Sequence, residues 1–438
     1  MINFFLLFFG VCICGVMAVS VGNCLLCCRI ADNGTDINKP GQILSSIFSP
    51  EIFSGKTSEI SKSQNKRVCV VTGGNQSVRF FEYSGAIHIH TVYSDGGGTY
   101  EDIINAADSL GLDFIIPTDH NTLAPIRDGW ARKAGGVIVI PGVENAINHS
   151  GGHYIAIGDS LTMVRTKKIS SEIVYKANVN NNNMIFPAHI FRSKKDSWKN
   201  FNIGGYTGIE IFNLDENWRD NLKSYRIQRF FANLFVYCFI NKNLNYLISF
   251  PQKQLEKFDE LNMVRKTSGI GSTDAHSRKI FSRGIPSYTS SFKSVQTIII
   301  TRVPFNGQYS HDREIVLNAI RNGNSFVGFP GFGNVRGFLF TAFSDSSEAS
   351  CGDSLCMGKS AKLRIVLPEN KNCVVRIVRN GRIFKEYDKI VTKIIDLDIS
   401  DTGVYRVQVL QKRDMLPLMR KRFFPWILSN PVYIYKKK

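Results

Sequence analysis

Residues 85–90 read Gly-Ala-Ile-His-Ile-His, and residues 113–121 read Asp-Phe-Ile-Ile-Pro-Thr-Asp-His-Asn. In a β-strand, residues two apart point to the same face. His88 and His90 would therefore present two imidazoles side by side, while the isoleucines next to them face a core. This arrangement is half of a metal site.

The second apolar run, 114–116, also leads into ligand-type side chains, Asp119 and His120. Two successive strands thus deliver nitrogen and oxygen donors at their C-terminal ends. Open α/β sheets and α/β barrels build their functional sites at that edge. We therefore expect the ligand-type side chains that follow these two strands to belong to one site.

The same order continues along the chain, with a short apolar strand followed by a polar residue. Between the strands lie amphipathic segments, of which the first has Thr99 as a predicted N-cap with Asp102 in its first turn, and is ended by Gly111. Alternation of strands and helices predicts an α/β fold with a largely parallel sheet. From Ala361 the pattern changes to period two, and the turn at 379–382 predicts a hairpin. We expect a separate small β-sandwich there.

Four segments are predicted: a membrane anchor or signal segment at 1–30, a linker at 31–68, a large α/β domain at 69–358, and a β-sandwich at 359–438. The anchor is suggested by the uncharged apolar run from Phe4 to Val21, which is long enough to cross a bilayer. We predict a membrane-anchored protein and leave open the side on which the large α/β domain lies. An aromatic-rich helical segment between Arg226 and Leu247 is expected to pack on that domain. Cys351 and Cys356 could pair in an oxidising compartment.

The chain has 54 Lys and Arg against 36 Asp and Glu, a formal net charge of +18. This balance favours anionic partners and says nothing about fold. We expect a small anionic substrate, with nucleic acid possible as a substrate only, and a membrane contact through the anchor. No protein partner can be inferred.

Nine side chains at or just after the predicted strands form the candidate ligand set. They are His88, His90, Asp95, His120, Glu144, His153, His189, Asp274 and His276. Imidazole and carboxylate donors without thiolate suit Zn²⁺, Mn²⁺ or Fe²⁺. More than four such ligands imply more than one ion.

These motifs resemble those of the PHP (polymerase and histidinol phosphatase) superfamily, and especially its CehA/McbA-like metallohydrolases. The resemblance runs from about Ser84 to the C-terminus. It rests on the motifs H-x-H-T, S-D-G, T-D-H-N, G-V-E, A-H-I-F-R, S-T-D-A-H and the closing W-I-L-S-N-P-V-Y (426–433). It implies a distorted (β/α)7 barrel with two or three divalent metal ions (Zn, Mn or Fe) at its C-terminal rim.

The resemblance also implies roles for the residues. One ion would be bound by His88, His90, Glu144 and Asp274. Glu144 would bridge to a second ion bound by His153 and His189, and Asp95, His120 and His276 would bind a third. Glu144, Asp274 and Asp119 are the candidate catalytic residues, with Asp119 orienting the ligand that follows it.

We predict a metal-dependent hydrolase, and first a phosphoesterase in which a metal-bridged hydroxide attacks a small phosphomonoester or an oligonucleotide end. Arg192 and Arg278 are placed to bind an anionic group, or else are ordinary surface charges. Two alternatives stay open: a carboxyl or carbamate ester hydrolase, and a non-catalytic surface or scaffold protein that holds structural metals.

Overall fold

The computed structural model describes residues 60–63, 66–73, 76–147, 152–163, 171–191, 197–224, 241, 244–280, 283–344, 347–369, 371–390, 392–413 and 422–436. The chain divides into two compact units, 1–56 and 57–438, and every residue described here belongs to the second. Four sequence predictions fall wholly or mostly outside the described residues. They are the segment 1–30, the linker 31–68 apart from 60–63 and 66–68, the aromatic-rich segment 226–247 apart from 241 and 244–247, and the role of Arg192.

Strands and helices alternate in the first part of the described structure, and the mixed α/β class is confirmed. The helices are α1 (Tyr100–Ser109), α2 (Ala124–Arg127), α3 (Ser171–Asn180), α4 (Leu214–Ser224), α5 (Gln252–Val264), α6 (Tyr288–Ser294) and α7 (Tyr309–Asn322). Short 3-10 turns lie at Phe201–Ile203, Leu244–Leu247 and Pro330–Phe332.

The strands of the first part are β1 (Ile60–Ser63), β2 (Lys66–Gly73), β3 (Gln76–Ile87), β4 (Phe114–Ile116), β5 (Arg132–Ala134), β6 (Val137–Val139), β7 (Val143–Ile147), β8 (Gly152–Ile157), β9 (Met184–Pro187), β10 (Gly208–Asn213), β11 (Ser268–Ser272), β12 (Arg278–Ile280), β13 (Arg283–Ile285), β14 (Gln296–Thr301) and β15 (Ser325–Gly328). The first described strand, β1, thus lies inside the segment predicted to be a linker.

The strands of the second part are β16 (Leu339–Phe343), β17 (Glu348–Ser350), β18 (Ser354–Cys356), β19 (Ala361–Val366), β20 (Cys373–Arg379), β21 (Arg382–Ile390), β22 (Ile394–Ile399), β23 (Gly403–Arg413), β24 (Arg422–Ser429) and β25 (Val432–Tyr435). As the turn sequence predicts, Asn380 and Gly381 connect β20 and β21 with φ angles of 50° and 78°.

Helix α1 begins where its capping sequence predicts. The Thr99 side chain accepts a hydrogen bond from the Asp102 amide, and the Asp102 carboxylate accepts one from the Thr99 amide. Gly111, at φ 62°, follows the end of the helix in the left-handed region that glycine tolerates best. Local sequence therefore sets both ends of the first helix.

Parallel and antiparallel pairs are mixed around the first strands. The parallel pairs are β3–β4, β4–β6 and β10–β11, whereas β3–β14, β14–β15, β7–β8 and β8–β9 are antiparallel. The largely parallel sheet predicted from the alternation of strands and helices is therefore interrupted by antiparallel neighbours. The closed seven-stranded barrel stays a prediction.

Both faces of the β3–β4–β6 group are buried. Ile115 and Val139 pack with Ile103 of helix α1 on one face, and Ile116 and Ile138 belong to the core on the other face. Strands covered on both sides are rigid, and their C-terminal ends hold the side chains that follow them in fixed positions.

The C-terminal strands join the first part of the chain. Strand β24 pairs antiparallel with β15, and one hydrophobic core contains side chains from both parts. The buried Asn430 side chain adds hydrogen bonds to the Gly269 amide and carbonyl and to the Ser325 carbonyl. The predicted boundary between 358 and 359 stays a prediction.

The prediction of a transmembrane helix is wrong for the part of the chain that the structure describes. No helix there is long and apolar enough to cross a membrane. Helix α7, for example, has 14 residues, which gives about 21 Å at 1.5 Å per residue against a hydrocarbon core of about 30 Å. The run 4–21 lies outside the described residues, so the membrane localisation that depended on it is withdrawn.

The pairing of Cys351 with Cys356 is also not observed. Both are free thiols, and Cys351 is buried. Burial raises the pKa of the Cys351 thiol, which keeps it protonated at neutral pH.

Candidate metal centre

The structure brings together all nine side chains predicted as metal ligands. Their donor atoms lie within 4.8 Å of one another in four overlapping groups. The groups are His88, His90 and Glu144; His88, His189 and Asp274; His120, Glu144 and His153; and His90, Asp95, His120 and His276. The first three groups are called the inner groups below, and the fourth is called the outer group.

The ends of the strands position these residues. His88 and His90 follow β3, His120 follows β4, and Asp274 follows β11. Backbone hydrogen bonds lock the segments together, because the His88 amide donates to Ile116 and the His90 amide donates to Ala275. Residues far apart in sequence thus meet because their strands end at the same edge.

Glu144 lies at the middle of the centre with a fully buried side chain. Its Oε1 is 2.7 Å from Nδ1 of His153 and 3.1 Å from Nε2 of His189. Its Oε2 is 2.9 Å from Nε2 of His88 and 3.1 Å from Nε2 of His90. Nδ1 of His120 lies 3.3 Å from the same Oε2. The two oxygens of one carboxylate therefore face two different sets of imidazoles.

Asp274 is the second buried carboxylate of the inner groups. Its Oδ1 lies 3.2 Å from Nε2 of His90, and its Oδ2 lies 3.6 Å from Nδ1 of His189. The Asn213 amide nitrogen is 3.5 Å from Oδ2 and donates to it. Like Glu144, Asp274 faces imidazoles with both oxygens.

The outer group lies closer to solvent. The exposed fraction of the side chain is 41% for Asp95, 27% for His120 and 13% for His276. The His90 ring completes the group from the buried side, stacked on the rings of His120 and His276 at centroid distances of 4.4 and 4.3 Å. The centre thus opens to solvent on the side of the outer group.

Two observations show that these residues fit metal ions. Both ring nitrogens of the buried His90 lack a hydrogen-bond partner among the described residues, although two carboxylate oxygens lie within 3.2 Å of its Nε2. His88, His189 and Asp274 also have φ angles of 64°, 52° and 48°, in a region that costs free energy for residues with a Cβ. Coordinated cations would give the ring nitrogens of His90 a partner. They would also explain why the strained backbone at His88, His189 and Asp274 is retained.

The buried carboxylates of the centre carry negative charge that must be compensated. Burial alone would raise the pKa of Glu144, but the charge of His88 and the hydrogen bonds with His153 and His189 hold it well below its usual value. Burial alone would lower the pKa of His189, but Asp274 and Glu144 raise it to about 9. Buried carboxylates must be compensated by protons on neighbouring imidazoles or by metal ions. The more exposed His120 differs, because partial burial lowers its pKa to about 4 and leaves it a neutral donor.

One functional residue, Glu210 on β10, was missed by the sequence analysis. Its Oε1 lies 2.6 Å from Nδ1 of His88, and its Oε2 accepts a hydrogen bond from the His189 amide. It leaves Nε2 of His88 to face Glu144, so it sets the orientation of a candidate ligand. The available signal was a glutamate between two isoleucines of an apolar strand (208–213).

We predict that Glu210→Gln weakens metal binding by roughly 10- to 100-fold, the usual loss when a group that orients a ligand is changed. The neutral amide cannot compensate a charge on His88 as the carboxylate does. Metal affinity is measured by competition with a chromogenic chelator at fixed pH. Glu82→Gln is the matched control, because Glu82 is also buried but accepts from the Gly337 amide, away from the centre. Equal affinities in the two variants would contradict this role.

Asp119 contacts the turn that carries Asp95. None of its described hydrogen bonds is to a candidate ligand. Its carboxylate accepts from the Thr91 amide, the Thr91 hydroxyl and the Ser94 hydroxyl, at 2.6 to 2.8 Å. Its supporting role therefore runs through the turn at 91–96, rather than through His120 as the sequence suggested. Gly96 closes that turn where a Cβ would lie 2.2 Å from the His90 carbonyl oxygen.

The two arginines predicted to bind substrate have different outcomes. Arg192 lies outside the described residues. Arg278 is beside the outer group, where its Nη2 donates to Oδ2 of Asp95 at 2.5 Å. Its side chain is 56% exposed, so the guanidinium also faces solvent at the open side of the centre.

Comparison with known proteins gives only distant similarities. No family model matches the chain, and no curated protein matches it. One similar solved structure is a two-domain protein from Bacteroides vulgatus ATCC 8482 described as containing a predicted PHP-like metal-dependent phosphoesterase. It is 14% identical, with a TM-score of 0.38, over 80% of this chain and 95% of that chain. Another is PsfC from Pseudomonas syringae PB-5123, which is 13% identical, with a TM-score of 0.34, over 57% of this chain and 91% of that chain. At these values neither similarity supports a functional argument, and membership of the PHP superfamily and of its CehA/McbA-like branch stays a prediction.

Proposed function

We propose that this chain is a metal-dependent hydrolase that prefers phosphoesters. The observation that carries the proposal is Glu144, a buried carboxylate whose two oxygens face separate sets of imidazoles. A structural zinc ion is fully coordinated by four protein ligands, and it does not need a carboxylate that faces two groups of ligands. Nine donors around such a carboxylate, open to solvent on one side, suit a centre that binds more than one ion and admits a substrate.

Each part of the centre has a role in the proposal. Divalent ions, when bound, lower the pKa of a coordinated water and offset negative charge on the reacting group. Glu144 and Asp274 hold the inner positions in a fixed geometry because buried imidazoles fix both of their oxygens. His120 and His153, which are partly exposed, lie at the side from which a substrate enters. No nucleophilic side chain is required, because water is the second reactant.

Charge favours a phosphoester over a carboxyl or carbamate ester. The formal net charge of +18 attracts anions and raises their local concentration. The exposed guanidinium of Arg278 is available to an anionic group at the open side, and guanidinium matches phosphate geometry well. A small phosphomonoester or the end of an oligonucleotide fits this chemistry, and no protein partner is proposed.

The test uses the full chain, stripped of metal and then reconstituted with Mn²⁺ or Zn²⁺, with an aryl phosphate and an aryl carboxyl ester as substrates. We expect metal-dependent phosphate release that is lost in His88→Ala. His311→Ala is the matched control, because His311 pairs with Asp312 outside the candidate ligand set. Cleavage of the carboxyl ester alone would instead support the ester hydrolase. If neither substrate is cleaved although metal is bound, the proposal of a phosphoesterase is contradicted for substrates of this size.

We also predict that metal removal lowers the melting temperature. An ion that binds only the folded state at 100 times its dissociation constant stabilises that state by about 2.7 kcal/mol. Differential scanning calorimetry of the metal-free chain, titrated with Mn²⁺ or Zn²⁺, should show a melting temperature that rises with metal concentration. Mg²⁺, which prefers oxygen ligands, should produce a smaller rise. A melting temperature that does not respond to any of the three ions would contradict the metal centre.

A further inference from the structure

Asp95 differs from the inner carboxylates because its two oxygens face different kinds of partner. Its Oδ1 faces imidazole nitrogens of the outer group: Nε2 of His276 at 3.2 Å, Nε2 of His120 at 3.7 Å and Nδ1 of His90 at 3.9 Å. Its Oδ2 accepts from Nη2 of Arg278. One oxygen is thus directed to the donor group and the other to an arginine.

The backbone of Arg278 is held firmly. The residue follows His276 by two positions and begins β12, which pairs antiparallel with β13 through Arg278 and Ile285. A hydrogen bond from the Gly97 amide to the His276 carbonyl ties this segment to the turn that carries Asp95. The arginine and the aspartate are therefore fixed relative to each other at the level of the main chain.

The Asp95 carboxylate needs such a partner more than the inner carboxylates do. Its side chain is 41% exposed, whereas those of Glu144 and Asp274 are 0% and 3% exposed. Buried imidazoles and the Asn213 amide fix the inner carboxylates. An exposed carboxylate on a turn can rotate into solvent, which removes a ligand from the outer group and costs conformational entropy when an ion binds.

We infer that Arg278 is a positioning residue for an outer metal ion. By holding Oδ2 of Asp95, it presents Oδ1 to the space shared with His90, His120 and His276. This inference rests on the proposed metal centre and assigns Arg278 a role other than substrate binding alone. The inner groups do not depend on Arg278, because their described contacts do not include it.

Two opposing effects decide how much the affinity for the outer ion changes when Arg278 is removed. The guanidinium charge repels a nearby cation, but the guanidinium contacts Oδ2 of Asp95 rather than Oδ1, the oxygen nearest to the imidazoles, and solvent weakens that repulsion. Loss of a group that orients a metal ligand usually costs about 10- to 100-fold in metal affinity. We therefore expect the outer ion to bind more weakly when Arg278 is removed.

The experiment counts ions and measures their affinities without any substrate. Isothermal titration of the metal-free full chain with Mn²⁺, together with elemental analysis after desalting, gives the stoichiometry of the wild type, Arg278→Met, Arg278→Lys and Asp95→Asn. We expect Arg278→Met and Asp95→Asn to lose the weakest ion, with a decrease in affinity of about 10-fold or more, while the tighter ions are unchanged. Arg278→Lys, which keeps a donor and the charge, should retain the weakest ion.

The matched control is Arg302→Ala, because Arg302 is also exposed and also pairs with a carboxylate, that of Glu348. It should bind as many ions as the wild type. The inference is overturned if Arg278→Met binds every ion as the wild type does or more tightly, or if Asp95→Asn loses no ion. These outcomes are independent of turnover, so a chain that binds the ions but hydrolyses nothing would contradict the proposed function and leave this inference standing.

Discussion

Glu144→Gln should abolish hydrolysis and remove at least one metal ion from the centre. The substitution keeps the shape of the side chain but replaces one carboxylate oxygen by an amide NH₂ group, which cannot bind a cation. Because the two oxygens of Glu144 face separate sets of imidazoles, the positions on both sides of the carboxylate lose a ligand or its charge. We expect a loss of activity greater than the roughly 10- to 100-fold typical of a group that only orients a ligand.

Steady-state kinetics with saturating Mn²⁺ measures this loss, and circular dichroism checks that the fold is kept. Glu82→Gln is again the matched control, since it changes a buried glutamate of β3 that hydrogen-bonds the Gly337 amide. It should keep both its metal content and its activity. Turnover of Glu144→Gln within a few-fold of the wild type would contradict the bridging position.

The second large effect concerns stability. Asp259→Ala should lower the free energy of unfolding by about 3–5 kcal/mol, because it leaves a buried charge without its partner. Asp259, on helix α5, accepts two hydrogen bonds from Arg406 of strand β23, at 2.5 and 2.6 Å. The exposed fractions of the two side chains are only 9% and 4%. This pair joins a helix of the first part of the chain to the C-terminal strands.

Thermal unfolding measures the effect, and two further variants test its cause. Asp401→Ala breaks the exposed Asp401–Arg379 pair and should cost less than about 1 kcal/mol. The double variant Asp259→Leu, Arg406→Met removes both charges and should recover much of the loss, because a buried pair can often be replaced by apolar side chains. If Asp259→Ala were no less stable than Asp401→Ala, the buried pair would not contribute as stated.

Sequence patterns predicted the features that depend only on residues close together in the chain. The capping of helix α1 by Thr99 and Asp102 requires only neighbouring residues, and the structure contains it. The ligand-type side chains could also be found from the sequence, because each follows or lies on a short apolar strand. His88 and His90 also lie close together, with ring centroids 5.0 Å apart. Both follow the end of β3, however, and His88 has a φ of 64°, so the period of two of a strand is not the reason for their proximity.

Contacts between distant residues could not be predicted in this way. Glu210 meets His88 across 122 positions, and Arg278 meets Asp95 across 183 positions. A single glutamate or arginine has many possible partners, and no local pattern chooses among them. The left-handed backbone at His88 and Asp274 is likewise set by the packing of the centre rather than by the preference of either residue.

The antiparallel neighbours have a similar cause. Alternation of strands and helices indicates a parallel order, but β14 follows the short helix α6 and pairs antiparallel with β3. Strands β7 and β8, which carry Glu144 and His153, also run antiparallel to each other. The order of elements therefore predicted the mixed class, whereas the direction of each neighbour depended on tertiary packing.

The central claim is that Glu144 lies between metal ions. Anomalous diffraction from crystals of the full chain grown with Mn²⁺ or Zn²⁺ tests it most directly. We expect separate anomalous peaks about 2.0–2.2 Å from Oε1 and from Oε2 of Glu144, each also in contact with a histidine nitrogen. A single peak bound by one oxygen, or no peak near Glu144 in metal-soaked crystals, would contradict the claim.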